Sequence, residues 1–207
     1  MDISKSISKI FPNMKAKLCE ELKNCNAVLD LGCGPNSPIK DCEISFSVGV
    51  ELFDDYFIQS KTKKIHNKYI QADIRKIEFE SNSFDAVLCS EVIEHLTKEE
   101  GYNLLKKMEN WASKKVIITT PNGYVSQSTY DNNPLQEHKS AWEVKQFEDL
   151  GFRVHGMMGW KKLRGNHGFI KYRPHKLWVI LSNLSQKITY KFPSYSFQLF
   201  AVKELIK

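Results

Sequence analysis

Short apolar runs alternate with amphipathic helical patterns along most of the chain. Brief apolar runs predict five strands, at 27–31, 46–50, 69–72, 84–89 and 116–120, and the first of them is predicted to be buried. Helical spacing predicts helices near 14–24, 98–112 and 142–150, and two late strands follow at 152–156 and 195–202. This alternation predicts an α/β fold with a doubly wound, mainly parallel seven-stranded sheet. A ligand of such a sheet binds at the carboxyl ends of its strands, where the strand order reverses.

The composition fits one globular domain spanning residues 1–207, with 42% apolar and 26% charged residues. No apolar run approaches the roughly 20 residues of a membrane-spanning helix, and the first residues lack the pattern of a secretory signal. The 5 cysteines are odd in number and form no Cys-x-x-Cys pair. We therefore expect neither a zinc site nor a disulfide framework, and a cytoplasmic location.

Charge is distributed unevenly along the chain. Residues 151–207 contain a single acid, Glu204, among many lysines and arginines, whereas the preceding part is mildly acidic. A basic block of this kind indicates an anionic partner, such as nucleic acid, a lipid surface or a phosphorylated substrate. The alternative is a solvated surface that only keeps the protein soluble.

A glycine-containing loop follows the first predicted strand. Gly32 and Gly34 allow main chain to approach a ligand closely, but Ser37 stands where a dinucleotide site has its third glycine. The loop is also too short for a long phosphate-binding helix before the second strand. Glu51 ends that strand, where a carboxylate accepts hydrogen bonds from ribose hydroxyls. Together these features predict a nucleoside ligand without a pyrophosphate.

Three motifs carry a resemblance to a known family. They are Leu29-Asp-Leu-Gly-Cys-Gly-Pro35, the segment from Ala72-Asp-Ile74 to the block at 83–96, and Thr120-Pro-Asn-Gly123 with Glu137-His138. As a set they resemble class I S-adenosylmethionine-dependent methyltransferases of the ubiquinone- and sugar-pathway type. The resemblance covers about residues 25–155 and implies the Rossmann-like methyltransferase fold and S-adenosylmethionine as cofactor.

The resemblance implies cofactor-binding roles at matching positions. Asp30, Gly32 and Gly34 would line the methionyl part, and Glu51 would bind the ribose. Asp73 would accept a hydrogen bond from the adenine amino group, and the Ile74 main-chain N–H would meet a ring nitrogen. The remaining two residues, Ser90 and Glu91, lie where the fourth strand opens over the cofactor. No metal ligand is expected.

Two histidines are candidates for the general base. His138 precedes the helix near 142–150, at the end of a long polar loop from Pro121, and imidazole is suited to accepting a proton from an acceptor hydroxyl. His95, in Glu94-His95-Leu96, is the second candidate. Either residue could instead only hold its loop by hydrogen bonding.

Two motifs that are absent from the sequence reduce the number of acceptor classes to be considered. Related enzymes that methylate amide or base nitrogens carry an Asn-Pro-Pro-Tyr type of motif after the fourth strand, where this chain has Ser90-Glu-Val-Ile93. Methylation of a pyrimidine carbon needs a cysteine nucleophile, and no cysteine follows Cys89. The predicted reaction is therefore O-methylation of a small-molecule, glycan or lipid acceptor with anionic character, and methylation of an amine is the next alternative. The alternatives are an RNA methyltransferase that uses the basic C-terminal region, and a cofactor-binding protein without catalysis. The sequence does not predict the oligomeric state.

Residues 160–193 form an insertion before the last strand. Pro174 can start a helix whose Leu177, Leu181, Leu184 and Ile188 share one face. One interpretation packs this face on the core. The other makes the insertion a lid or a membrane-contacting element over the acceptor pocket, with Lys161, Lys162 and Arg164 meeting an anionic acceptor.

Overall fold

A computed structural model describes residues 12–129 and 131–205 and contains a seven-stranded sheet. Its strands are β1 Ala27–Leu31, β2 Phe46–Glu51, β3 Lys68–Gln71, β4 Phe84–Ser90, β5 Ala112–Pro121, β6 Arg153–Trp160 and β7 Ser196–Glu204. The strand order is β3-β2-β1-β4-β5-β7-β6, and β7 runs antiparallel to both of its neighbours. The predicted doubly wound, mainly parallel α/β fold is confirmed. The order reverses between β1 and β4, and this places the ligand-binding crevice at their carboxyl ends.

Helices cover both faces of this sheet. They are α1 Met14–Leu22, α2 Asp54–Lys63, α3 Lys98–Trp111, α4 Val144–Asp149 and α5 His175–Lys191. Asn13 caps α1 by accepting a hydrogen bond from the Ala16 N–H, and Thr97 forms a capping box with Glu100 at the start of α3. Short 3-10 turns connect several elements, and the turn at Ile93–His95 carries site residues.

An aromatic cluster fixes the segment that leads from β5 to α4. Trp142 is fully buried and stacks on Phe147 at 5.3 Å between ring centroids. It also occupies the space beside Gly101, where a methyl group would lie 2.5 Å from the indole. Burial of such rings contributes several kcal/mol. This packing holds residues 138–142 against the start of α3, next to the carboxyl end of β4.

The insertion does not pack on the core in the way that one sequence-based interpretation predicts. Its helix, α5, buries Ser182, Gln186 and Thr189, whereas the predicted leucine face is exposed. The interpretation that this face packs on the core is therefore wrong. Arg164 is also engaged internally, because its guanidinium donates to the main-chain oxygens of Met158 and Gly168 and to the Ser182 hydroxyl.

One pair of cysteines departs from the expectation for thiols. Cys19 of α1 and Cys42, after the Pro38–Asp41 turn, are joined by a disulfide. The expectation that the cysteines form no disulfide is wrong for this pair, while Cys25, Cys33 and Cys89 are free and buried. The cytoplasmic location stays a prediction.

Within residues 12–129 and 131–205, none of the helices combines the length and the apolar content needed to cross a bilayer. This includes α5, the longest of the described helices.

Candidate active site

A cavity of about 330 Å³ opens at the carboxyl ends of β1, β2 and β4. The glycine loop, the end of β2, the turn after β3 and the end of β4 line it, and His95, Leu135, Gln136 and Lys139 close one side. Its volume lies within the range of pockets that bury a small organic ligand. The cavity therefore occupies the position that the strand order predicts.

The glycine loop forms the floor of this cavity. Gly32 has a φ of +66°, and a methyl group there would lie 2.5 Å from Val92. Any other residue would thus be strained and would displace Val92 from the cavity wall. Gly34 also has a positive φ, but the space beside it is open. After Ser37 the chain makes only a 3-10 turn, Pro38–Asp41, so the short loop predicted without a phosphate-binding helix is what the structure shows.

The carboxylate of Glu51 joins the glycine loop to the end of β2. One oxygen accepts a hydrogen bond from the Gly34 N–H at 3.0 Å, and the other accepts from Leu52 and Phe53 at 2.9 Å each. The side chain is buried except where it lines the cavity. Each carboxylate oxygen has more than one acceptor position. Glu51 can therefore fix the loop and accept a ligand hydroxyl.

Asp73 is held beside the cavity by an arginine. Arg75 donates to both carboxylate oxygens, with a shortest distance of 2.7 Å, and also bridges to Glu100. The hydrogen bonds from Arg75 lower the pKa of Asp73, so the carboxylate is ionised at neutral pH. Ile74 lies next to it in the same wall. An ionised acceptor beside a main-chain segment suits recognition of an adenine edge.

Asp30 lies beneath the glycine loop and does not contribute to the cavity wall. It is 1% exposed, and the Ser37 hydroxyl donates to its Oδ2 at 2.5 Å. Burial raises the pKa of Asp30 to about 7 and lowers that of His66, whose Nε2 lies 3.5 Å from the carboxyl, to about 4. Burial thus favours a neutral acid next to a neutral imidazole over an ion pair. Asp30 supports the loop from below.

Asp30→Asn is expected to flatten the pH dependence of stability. The folded-state pKa exceeds the unfolded value of about 3.9, so the native state keeps a proton that the unfolded chain releases. Stability from this group is complete below about pH 4 and is lost as the pH rises through about 7. Urea unfolding of both proteins between these limits measures the difference in slope. Parallel stability curves would show that Asp30 is ionised in the folded protein.

The end of β4 carries the residues that face the expected position of the reacting centre. Ser90 and Glu91 both line the cavity, and the Thr119 hydroxyl lies 2.8 Å from Ser90 Oγ and 2.9 Å from Glu91 Oε1. Glu91 has a φ of +54°, a strained conformation for a residue with a side chain. Surrounding protein atoms raise the pKa of Glu91, although its surface remains accessible through the cavity.

Both candidate histidines lie beside this strand end, with their rings 4.9 Å apart. His95 lines the cavity, whereas His138 is 9% exposed and lies behind it. His95 Nδ1 is 3.2 Å from the Glu137 carbonyl oxygen, and His138 Nδ1 is 2.6 Å from that of Val125. These contacts place the proton on Nδ1 of each ring and the lone pair on Nε2.

Glu94 completes this group and was not among the residues singled out from the sequence. It is 3% exposed, accepts a hydrogen bond from the Thr120 hydroxyl at 3.0 Å, and its burial raises its pKa well above the ordinary value. Its main-chain oxygen accepts from the N–H groups of Lys139 and Ser140, which brings His138 to His95. The pair Glu94-His95 could have indicated Glu94 from the sequence, but only the fold brings His138 next to Glu94.

The group of Glu94, His95 and His138 can act in proton transfer. Burial lowers the pKa of His95 to about 4 and also lowers that of His138, so both imidazoles are neutral at neutral pH. One ligand atom from each of the three residues lies within 4.8 Å of the others. This donor set is also one that a transition-metal ion could bind, whereas the sequence pattern predicts no metal ligand.

The geometry fits a nucleoside cofactor. The open space at Gly34, the Glu51 carboxylate and the ionised Asp73 follow one another along the cavity wall. These groups provide close main-chain approach, an acceptor for ribose hydroxyls and an acceptor for an amino group, and the turn after Ser37 offers no long helix for a pyrophosphate. The cavity therefore has the features expected for S-adenosylmethionine.

Comparison with known proteins agrees with this geometry. Residues 29–118 match the family described as a methyltransferase domain. The structure resembles an S-adenosylmethionine-dependent methyltransferase from Archaeoglobus fulgidus, with a TM-score of 0.57 and 18% identity over 99% of this chain and 100% of that one. It also resembles the PH0226 protein of Pyrococcus horikoshii, with a TM-score of 0.60 and 17% identity over 100% and 92% of the two chains. These structural likenesses bear on the fold.

A sterol 24-C-methyltransferase of Saccharomyces cerevisiae is 30% identical over 159 residues, which cover 69% of this chain and 38% of that protein. The chain spans between 34% and 55% of the lengths of the curated relatives that it matches. The domain match, the strand order and the glycine loop agree with the family expected from the sequence. The matched methyltransferase domain, together with the fold, supports a class I S-adenosylmethionine-dependent methyltransferase.

Proposed function

We propose that the chain catalyses O-methylation of a small or carrier-linked acceptor, a glycan or lipid intermediate with anionic character. The observation that carries this proposal is the neutral imidazole of His95 in the cavity wall. It lies beside the strand end where Ser90 and Glu91 face the cavity. A neutral imidazole next to a bound acceptor can take the proton of a hydroxyl group.

The cavity residues divide the work of binding. S-adenosylmethionine supplies a methyl group that is already activated on a cationic sulfur. Glu51 binds the ribose hydroxyls, and Asp73 and the Ile74 main chain bind the adenine. Glu91 lines the part of the cavity proposed to receive the cationic sulfur, and a cation there would favour the ionised form of Glu91 against the burial that raises its pKa. The protein's main task is then alignment of the reacting atoms and exclusion of water.

We assign the general base to His95 and a positioning role to His138. The Glu137 carbonyl oxygen fixes the His95 ring, so that Nε2 carries the lone pair that receives the acceptor proton. His138 lies behind this ring and is fixed in turn by Val125. The lowered pKa of His95 keeps its imidazole neutral across the neutral range, and it also makes the ring a weaker base than an ordinary histidine.

The relatives support an acceptor with an apolar part. Three of them are named sterol 24-C-methyltransferases, so apolar acceptors occur among proteins similar to this chain. The cavity is also bordered by apolar Leu135 and by basic Lys139, which suit an acceptor that combines an apolar portion with an anionic group. We propose a cytoplasmic location for the reaction, on the sequence pattern alone.

Incubation of the protein with methyl-labelled S-adenosylmethionine and a cell extract tests this function. The extract is then separated into lipid, glycan, RNA and small-molecule fractions, and His95→Ala is the inactive control. Label in an ether-linked methyl group of a lipid, glycan or small molecule is the expected result. Label in RNA would replace the proposal with the RNA methyltransferase, and cofactor binding without any labelled acceptor would leave a binding protein without catalysis.

A further inference from the structure

The insertion helix α5 has the reverse of the usual polarity. Its buried positions are Ser182, Gln186 and Thr189. The outer face, defined here as Leu177, Ile180, Leu181, Leu184 and Ile188, is between 39% and 63% exposed. These five residues follow helical spacing and lie on the side opposite the buried polar residues. An apolar stripe of this length on a surface helix indicates a binding surface.

The edge of the sheet explains the buried polar face. β6 is the edge strand of the sheet, and α5 provides hydrogen-bond partners for its main chain. The Gln186 side chain donates to the Gly156 oxygen at 2.8 Å and accepts from the Gly159 N–H at 2.6 Å. Ser185 Oγ accepts from the Trp160 N–H at 2.9 Å. A methyl group on Gly156 would collide with the Thr189 main-chain oxygen, so the helix approaches the strand very closely. These bonds fix which face of α5 points outward.

The charged residues within the insertion itself have one sign. Between residues 160 and 193 the sequence contains 8 lysines and arginines and no aspartate or glutamate. Lys176 and Lys191 are exposed near the two ends of α5. A stripe of aliphatic side chains flanked by cations matches a surface that is apolar below and anionic at its boundary.

The outer face also extends toward the catalytic edge of the sheet. Trp160 and Ser196 are register partners, and Pro121 of β5 pairs with Gln198, so the insertion leaves and rejoins the sheet at the edge that holds the carboxyl ends of β4 and β5. Ser182 lies beside Gly159 and Thr189 beside Gly156, so α5 runs antiparallel to β6. Residues 175–181 therefore project about 7 Å beyond the strand end.

We propose that the outer face of α5 binds the surface of an anionic lipid bilayer. The aliphatic side chains enter the boundary between headgroups and acyl chains, and the surrounding lysines bind anionic headgroups. A nucleic acid would use the cations but leave five aliphatic side chains in water. A second copy of the chain would bring two surfaces of the same charge together. Docking would place the catalytic edge beside the membrane.

Sedimentation with vesicles tests this proposal without cofactor, so its outcome is independent of methyl transfer. We expect binding to phosphatidylcholine vesicles that contain phosphatidylglycerol, and much weaker binding to phosphatidylcholine alone. Leu184→Gln combined with Ile188→Gln is expected to weaken binding about tenfold or more, because two apolar contacts are lost. Lys176→Gln combined with Lys191→Gln should weaken binding by about fivefold for each lysine, and less at high salt.

Matched variants elsewhere on the surface serve as controls. Ile58→Gln on α2 changes an isoleucine that is 61% exposed, close to the 63% of Ile188. Lys23→Gln with Lys40→Gln lowers the net charge by the same amount as the α5 pair, and both lysines are exposed. These controls should bind vesicles as the unchanged protein does, and circular dichroism should show that every variant is folded.

Four results would overturn the proposal. They are an absence of binding to anionic vesicles, an equal loss in the control variants, a dimer in solution that the Leu184 and Ile188 variant separates while vesicles remain unbound, and RNA retention through the α5 lysines without vesicle binding.

Discussion

Turnover is expected to fall by about two orders of magnitude or more when His95 is replaced by alanine, because the acceptor proton loses the base in the cavity wall. Cofactor affinity should stay nearly unchanged, since the Glu51 and Asp73 side of the cavity is intact. With burial lowering the pKa of His95 to about 4, the rate of the unchanged enzyme should be insensitive to this group at neutral pH and fall only as the pH approaches 4. An ordinary histidine would cause that fall near pH 6.5.

The variant His138→Ala distinguishes the role of His138 from that of His95. Because His138 lies behind His95, its loss should reduce turnover less than His95→Ala does and should leave the acceptor KM nearly unchanged. His175→Ala, at the exposed start of α5, is the control and should be fully active. A larger loss in His138→Ala would make His138 the base, as the sequence alone suggested, and normal turnover in both variants would exclude a histidine base.

Affinity for S-adenosylmethionine is expected to fall by about 1–3 kcal/mol in Glu51→Ala, because the ribose hydroxyls lose a charged acceptor. Three main-chain N–H groups lose the same carboxylate, so the glycine loop also loses its support. Glu51→Gln keeps one acceptor oxygen and should have a smaller effect. Isothermal titration calorimetry with the cofactor and its demethylated product measures both.

Glu43→Ala is the control for this series, because Glu43 is exposed on the loop before β2. Its affinity should equal that of the unchanged protein. An unchanged affinity in Glu51→Ala would remove Glu51 from the ribose site, whereas an equal loss in Glu51→Gln would show that charge, and not hydrogen bonding, dominates its contribution.

Strands β1 and β4 are predictable because each is a short, mainly apolar run, and β1 lies at the predicted residues, Ala27–Leu31. Glu51 could be predicted for a related reason, since its position is fixed by the end of a strand. Helix α2 was not predicted, because Ser60 is its only buried residue among those described and it therefore has no apolar face. The family resemblance predicts Asp30 in the cavity wall, whereas its side chain lies beneath the loop and accepts a hydrogen bond from Ser37.

For the insertion, the sequence pattern predicts a helix but not which of its faces is buried. Spacing correctly placed Leu177, Leu181, Leu184 and Ile188 on one face of a helix, but spacing does not say which face is buried. That choice depends on the unpaired main-chain groups of β6, which the Gln186 side chain satisfies. The proximity of Glu94 to His138 could not be predicted either, because it depends on main-chain hydrogen bonds between segments that are distant in sequence.

The polar face of α5 also protects the protein from unwanted self-association. A terminal strand exposes main-chain donors and acceptors to which a strand from another molecule can add. Gln186 and Ser185 occupy three such groups on β6, at Gly156, Gly159 and Trp160. A chain in which α5 came away from β6 would therefore present an open sheet edge together with an apolar helix, and both are templates for aggregation.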